Sequence, residues 1–229
     1  MQNVLIYAGS GVDSSCLINT ELLFQNLGYN VKRIKPSNII IDNWEKTADI
    51  LVIPGGEDEY YQKDLGEIGC EKIKDFVKNG GKYIGICAGA YFGAKNVEFA
   101  KGTDMEVIGK RSLGFFNGTA IGPILKPYSY EDESGACAAK IVLSDSKELY
   151  IYYNGGCAFS PEPTEDNVEV IGRYAEKENL PAILRCKIEK GEAILSGVHF
   201  EQFSSENPEI QEKLDITKNE LKNFIKQLL

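Results

Sequence analysis

The sequence predicts an α/β fold, with a mostly parallel central sheet, helices on both faces, and antiparallel strands added in the second half. Three observations carry this expectation. Strand-like and helix-like patterns alternate through the first half of the chain. The strand-like runs VLIYA (4–8), DILVIPGG (49–56) and KYIGIC (82–87) are almost wholly apolar, as strands buried on both faces are. From residue 115 to residue 200, strand patterns follow one another without a helix between them.

The elements follow in order. After VLIYA, residues 13 to 27 carry Leu17, Leu22, Leu23 and Leu27 on a helical stripe, with Asp13 as N-cap and Gly28 as C-cap. NVKRI (30–34) reads as a second strand, and DILVIPGG runs into a tight turn. Residues 67 to 79 place Ile68, Ile73, Phe76 and Val77 at helical spacing and stop at Asn79-Gly80-Gly81. KYIGIC is the next strand, and AGAYFGA opens a helix. Strands are then expected at 115–122, 139–143, 148–156, 167–174, 181–188 and 191–200, the last two joined by a hairpin turn at Glu189-Lys190-Gly191. The chain ends in an amphipathic helical segment, 207–229. Asn207 is its N-cap, Pro208 its first helical residue, and Leu214, Leu221, Ile225 and Leu228 form its apolar stripe. With no low-complexity linker and no internal repeat, residues 1–229 read as one domain.

Composition narrows the function. The net charge is −9, and no basic run appears, which argues against a nucleic-acid partner or a polybasic membrane surface. The longest apolar runs fall far short of the roughly 18 residues a membrane span needs, and the N-terminus lacks a cationic leader. Six cysteines (Cys16, Cys70, Cys87, Cys137, Cys157 and Cys186) form no C-x-x-C pair. They read as reduced thiols of a cytoplasmic protein. His199 is the single histidine, which rules out a multi-histidine metal site; no metal and no cofactor is expected.

The sharpest local signal is G-I-C-A-G, residues 85 to 89, between a buried strand and a helix. It has the form of a nucleophile elbow with cysteine as nucleophile, its small residues letting the chain turn so that Cys87 projects at the C-terminal edge of the sheet. The helix N-terminus favours a thiolate there, and the Ala88 N–H would face an oxyanion. The alternative is a buried cysteine in a tight turn. A nucleophile needs a base, and His199 is the imidazole available. Glu201, two residues on, would share its face of a strand about 6.5 Å away at Cα and could orient the ring. I-P-G-G (53–56) also ends a strand, so Gly55 and Gly56 could complete an oxyanion hole with Ala88. Alone, it is a glycine turn. In YYNGG (152–156), Asn154 could offer its amide to a polar ligand, the alternative being a simple β-turn. The acidic run Glu57-Asp58-Glu59 reads as a solvated loop or as a site for a substrate cation.

The order PGG, GICAG and H-x-E resembles the class I glutamine amidotransferase-like family, whose sheet is flavodoxin-like. More closely, VIPGGEDEYY, VKNGGKYIGICAGAYFGA, VEF (97–99), MEVIGKR, FFNGTAIGP and YYNGG resemble the amidotransferase-like N-terminal domain of fungal-type biotin protein ligases and its stand-alone relatives, over roughly residues 4 to 202. The resemblance implies that Cys87 attacks a side-chain amide, His199 shuttles the proton and Glu201 orients His199. It implies a small-molecule amide substrate, glutamine by default, and a biotin ligase or synthase in trans as partner. Two departures bear on the substrate. The family's C-x-G-x-Q reads Cys87-Ala88-Gly89-Ala90-Tyr91 here, and its H-P-E reads His199-Phe200-Glu201. The resemblance implies that the catalytic atoms carry over; the departures, with Tyr91 at the pocket, bear on whether that pocket is specific for glutamine.

The first loop, GSGVDSS (9–15), is close to the SGG-x-DS loop of ATP pyrophosphatases. Its middle glycine is replaced by Ser10 and its leading serine by Gly9, so it is expected only to border the pocket through Ser10 and Gly11. The lead expectation is an amidotransferase-like cysteine hydrolase. The alternatives are a non-catalytic binding or regulatory module and a peptidase-like or small-amide hydrolase whose pocket is reshaped by Tyr91.

Overall fold

The computed structural model describes residues 2–129 and 132–229. The first half alternates as expected: β1 (Asn3–Tyr7), α1 (Ser14–Asn26), β2 (Asn30–Ile34), a short α2 (Pro36–Ile41), β3 (Ile50–Ile53), α3 (Asp58–Lys78), β4 (Lys82–Ile86) and α4 (Ala88–Gly93). The Asp13 side chain caps α1 by accepting from the Ser15 and Cys16 N–H groups, and Gly28 follows the helix at φ 86°. The buried stripe of α1 runs through Thr20, Leu23 and Phe24, whereas Leu22 is exposed. α3 begins well before the expected start at residue 67. Glu57-Asp58-Glu59 is therefore a helix N-cap and first turn and not a loop. Gly66, at φ 57°, kinks this helix and obscures its period, and Ile68 is exposed.

The second half holds β5 (Ala94–Phe99), β6 (Val107–Lys110), β7 (Phe116–Gly122), β8 (Cys137–Leu143), β9 (Glu148–Tyr153), β10 (Ala158–Ser160), β11 (Val168–Tyr174), β12 (Pro181–Ile188) and β13 (Gly191–Ser196). Nine strands form one sheet in the order β2-β1-β3-β4-β13-β12-β11-β8-β9. The first five are mutually parallel, and the last four continue antiparallel. A separate four-stranded sheet, β10-β7-β5-β6, was not expected from the sequence. The C-terminal segment is two helices, α5 (Pro208–Ile216) and α6 (Lys218–Leu228), broken at Thr217, whose hydroxyl accepts from the Tyr150 N–H at 2.8 Å. Asn207 caps α5 as expected.

Alternate residues of the parallel strands feed two cores. Leu51 and Ile53 face Tyr61, Ile73 and Phe92 of α3 and α4, and Ile50 and Val52 face Phe24 of α1 and Ile225 of α6. Burying Leu221, Ile225 and Leu228 of α6 contributes about 1.5–3 kcal/mol each. The antiparallel extension is curled. β9 lies four strands from β13, about 19 Å along a flat sheet, yet Tyr152 makes an antiparallel bridge with His199 just beyond β13. The His199 N–H donates to the Tyr152 carbonyl at 2.8 Å. Strand twist, accumulated over this extension, brings its outer edge back to the parallel half.

Candidate active site

Cys87 follows β4 and stands as the N-cap of α4 at φ 50°, ψ −107°, a strained backbone for a non-glycine residue. Its N–H donates to the Ser196 carbonyl of β13 at 2.8 Å, while its own carbonyl accepts from Ala90 and Tyr91. The two flanking glycines are steric requirements. A Cβ on Gly85 would stand 2.2 Å from the Gly89 carbonyl oxygen, and one on Gly89 would stand 2.0 Å from that of Ile53. The thiol of Cys87 is almost fully buried and lies 3.6 Å from the Asn154 carbonyl oxygen, to which it donates.

His199 does not end a strand. β13 stops at Ser196, and His199 lies three residues beyond, held by the bridge to Tyr152. The Gln202 N–H donates to its carbonyl, closing a turn. That turn, and not strand alternation, brings Glu201 Oε1 to 2.8 Å from His199 Nδ1. Both side chains are buried. Burial alone would lower the imidazole pKa. The Glu201 carboxylate, with smaller contributions from the neighbouring cysteines, outweighs it and holds the pKa well above the ordinary histidine value. Glu201 Oε2 is buried without a hydrogen-bond partner among the described residues.

Cys16, which the sequence marks only as one of six reduced thiols, sits on the first turns of α1 with its Sγ 3.8 Å from His199 Nδ1. Burial pushes its pKa up to about 11, against the opposing pull of His199. Its sulfur, a His199 ring nitrogen and a Glu201 oxygen lie within 4.8 Å of one another. This contact spans 183 residues and has no local sequence signal.

Cys87, Ala88, His199, Gly56, Tyr91 and Asn154 all border one cavity of about 340 Å³. Four expected residues do not border it: Glu201, which reaches the site only through its bond to His199 Nδ1, and three glycine-loop residues. Gly55 is packed behind, where an added Cβ would stand 2.8 Å from Cys16 Sγ and 2.9 Å from His199 Cε1. Its carbonyl accepts from Asp13 and Tyr61. The Ser10 N–H is taken by Asp64 at 3.0 Å. The Gly11 carbonyl accepts from the Glu57 N–H at 2.8 Å, turning this loop into a strut between β1 and α3. Gly56 adopts φ 144°, and a Cβ there would stand 2.0 Å from the Gly11 carbonyl oxygen.

Tyr91 does not offer its hydroxyl to the cavity. It donates to the Gly155 carbonyl at 3.0 Å and thereby fixes the 154–156 turn, and burial holds its phenol well above the usual value, so it stays a donor. Asn154 Oδ1 is buried and has no partner among the described residues. Sequence reasoning also missed the support of the cavity wall. Arg111 makes two hydrogen bonds to Asp58, at 2.6 and 3.1 Å, in a buried ion pair.

Comparison with known proteins fits this geometry. A family model described as "Biotin-protein ligase, N terminal" matches residues 2–229. The chain is 39% identical over 241 residues to the biotin–protein ligase of Schizosaccharomyces pombe, covering 99% of this chain and 38% of the ligase. It thus spans well under half of that relative's length. An uncharacterized protein of Chlamydia muridarum is 35% identical over 209 residues, covering 88% of this chain and 81% of the relative. Among solved structures, a glutamine amidotransferase superposes with a TM-score of 0.60 at 19% identity over 96% of this chain and 98% of its own. PurLQS from Thermotoga maritima superposes with a TM-score of 0.58 at 14% identity over 98% and 99%. At such identities the structural likeness speaks for the fold, which is amidotransferase-like. The length and identity of the sequence matches speak for more: the chain belongs to the biotin-protein ligase N-terminal family.

Proposed function

We propose that the protein is a cysteine hydrolase that cleaves an amide, with Cys87 as nucleophile and the His199–Glu201 pair as its proton shuttle. The observation that carries this reading is Cys87, held at a positive φ on a strand-to-helix turn, in the same cavity as an imidazole whose Nδ1 is bonded to a buried carboxylate. In the reaction, the Cys87 thiolate adds to the amide carbon. The oxyanion is met by the Ala88 N–H, the first of the helix and so without an intrahelical partner, and by Gly56 across the cavity. His199, protonated, gives its proton to the departing nitrogen, which leaves as ammonia or an amine. A thioester on Cys87 remains. His199, now neutral, takes a proton from water, which attacks the thioester and releases the acid and the thiol. Glu201 keeps the Nδ1 tautomer and stabilises the imidazolium. Free thiols suit a reducing cytoplasmic compartment.

The test is release of ammonia from an amide panel that includes glutamine, with Cys87→Ala beside the native protein. Turnover that vanishes in the variant is expected, and turnover that persists overturns the reading. One observation favours a second reading. The Cys87 thiol donates to the Asn154 carbonyl, and it is Cys16 whose sulfur lies within hydrogen-bond distance of Nδ1. A protein that only binds a small molecule and works on a biotin ligase in trans would show ligand binding and ligase association without turnover.

A further inference from the structure

The cavity over Cys87 has a one-sided charge. Asp13, Glu57, Asp58, Glu59, Asp132 and Glu133 border it, and among the described residues no lysine or arginine does. Asp58 is neutralised by Arg111. The other five carboxylates have no ion pair among the described residues, and three of them are held in place. Asp13 accepts from Ser15 and Cys16, which keeps its carboxyl below the usual range against its burial. Asp132 accepts from the Ser134 N–H at 3.0 Å, and Glu133 accepts from the Tyr152 hydroxyl at 3.0 Å. Glu57 and Glu59 stand at the N-terminus of α3, whose dipole offsets about half a charge. Among the described residues the one basic side chain at the cavity is His199, and Glu201 already holds it.

Glutamine would have to place its α-carboxylate in this field with no cationic side chain to receive it. An ammonium group meets the opposite situation. The carboxylates attract it, and the rings of Phe99, Tyr128 and Tyr152 border the same space, Phe99 and Tyr128 standing edge to face at 5.8 Å. Aromatic faces among carboxylates are favourable surroundings for an alkylammonium. The buried Asn154 oxygen adds an acceptor without a donor.

We propose that this site takes an amide that carries a positive charge and no free carboxylate. The proposal rests on the cavity assigned above and names the substrate class of that site; it concerns binding and so stands apart from whether Cys87 turns the ligand over.

Three probes differ only in charge: L-glutamine, 4-aminobutanamide (glutamine without its α-carboxylate) and 4-carbamoylbutanoate (glutamine without its ammonium). Binding is measured by ligand-observed NMR on the full chain with Cys87→Ala, and hydrolysis by ammonia release from the native protein. The expected order is 4-aminobutanamide, then glutamine, then 4-carbamoylbutanoate, with at least about tenfold between the ends at low salt. Added salt should narrow that span. Glu57→Gln with Glu59→Gln, both exposed and so tolerant of change, should weaken the amine and strengthen the acid. Equal binding of all three, tighter binding of either carboxylate probe, or no binding of the amine overturns the proposal. Binding in the expected order without hydrolysis overturns the hydrolase reading and leaves the charge assignment standing. Hydrolysis that favours glutamine does the reverse.

Discussion

If His199 activates Cys87, the thiols of this protein should separate sharply in a competitive alkylation, and the structure gives the scale. Burial pushes Cys16 and Cys137 up to about 11, and Cys70 and Cys186 up to about 12. Cys157, fully buried, is raised well above its ordinary value. At pH 8, a thiol of pKa 11 is about one part in a thousand thiolate, and one of pKa 12 about one in ten thousand. The thiolate of a more basic thiol is also more nucleophilic, which recovers about half of that deficit on a logarithmic scale. Cys16 should therefore label about thirtyfold more slowly than a thiol ionised at that pH, before any loss from burial. The His199 imidazole, whose pKa the Glu201 carboxylate raises well above its ordinary value, shares the cavity with Cys87 and favours its thiolate to the extent that it is protonated. A limiting alkylator followed by peptide mass mapping reads all six rates in one experiment. Cys87 should lead, and His199→Ala should slow it by about tenfold or more, the loss of one nearby charge in a poorly solvated site. Because His199 also pulls on Cys16, that variant should slow Cys16 too, and the order of the other four should stand. Cys87 labelling no faster than Cys16, or at a rate indifferent to His199, would refute the reasoning.

Three other outcomes follow from the same geometry. Gly56→Ala should destabilise the fold by about 2–5 kcal/mol in urea unfolding and disrupt the site. Its Cβ meets the Gly11 oxygen and the Asp13 nitrogen, both backbone atoms that cannot rotate aside. Arg111→Met should cost about 3–5 kcal/mol, because it strands the Asp58 carboxylate in the interior. Adding Asp58→Asn should recover much of that, and a double variant as unstable as the single one would show that the ion pair is not the cause. The raised folded-state pKa of His199 means that the folded chain holds a proton the unfolded chain gives up. This stabilisation is complete below the unfolded value near 6.5 and fades as pH rises through the folded one. Urea midpoints of the native protein and of His199→Gln should therefore lie furthest apart below about pH 6.5 and approach each other in alkaline buffer. A gap that widens with pH would contradict the assignment of Glu201 as the partner that charges the ring.

Much of the parallel half was legible because its strands are bounded by local rules. The apolar runs, the Asp13 cap and the Gly85–Gly89 contact are all set by residues within a few positions of one another. The N-terminus of α3 was hidden because its charged residues look like a loop, and because the kink at Gly66 shifts the phase of the apolar stripe. Asp58 shows the cost of reading charge locally. It belongs in the interior, and its reason for being there is an arginine 53 residues away. The second sheet was missed for another reason. Strands such as β6, with Val107 and Gly109 half-buried between exposed neighbours, carry little apolar signal of their own and gain their order from pairing with β5. The H-x-E pair was found, but on a mistaken backbone. Two side chains two residues apart can meet across a turn as well as along a strand, and the sequence does not distinguish these.

The curl of the antiparallel extension explains why the cavity has residues that the parallel sheet alone could not supply. The ends of β1, β3, β4 and β13 are neighbours, so the Asp13 turn, Gly56, Cys87 and His199 fall along about 14 Å of one edge. That edge holds the candidate nucleophile, the imidazole and the candidate oxyanion donors. It does not hold Tyr152, Asn154 or Glu133, which come from the far side of the sheet or the loop near it. They arrive because β9 bends back until Tyr152 pairs with His199, and the Tyr91 hydroxyl then pins Gly155. The position at which glutamine-hydrolysing relatives of this fold are expected to carry a substrate-holding glutamine is thus occupied by a residue that clamps the returning edge over the site. On this geometry, Tyr91→Phe should change substrate preference more than it changes Cys87 alkylation, since it frees the wall and leaves the elbow intact. Tyr91→Gln should not restore a glutamine pocket, because the carboxylates that line the returning wall remain in place.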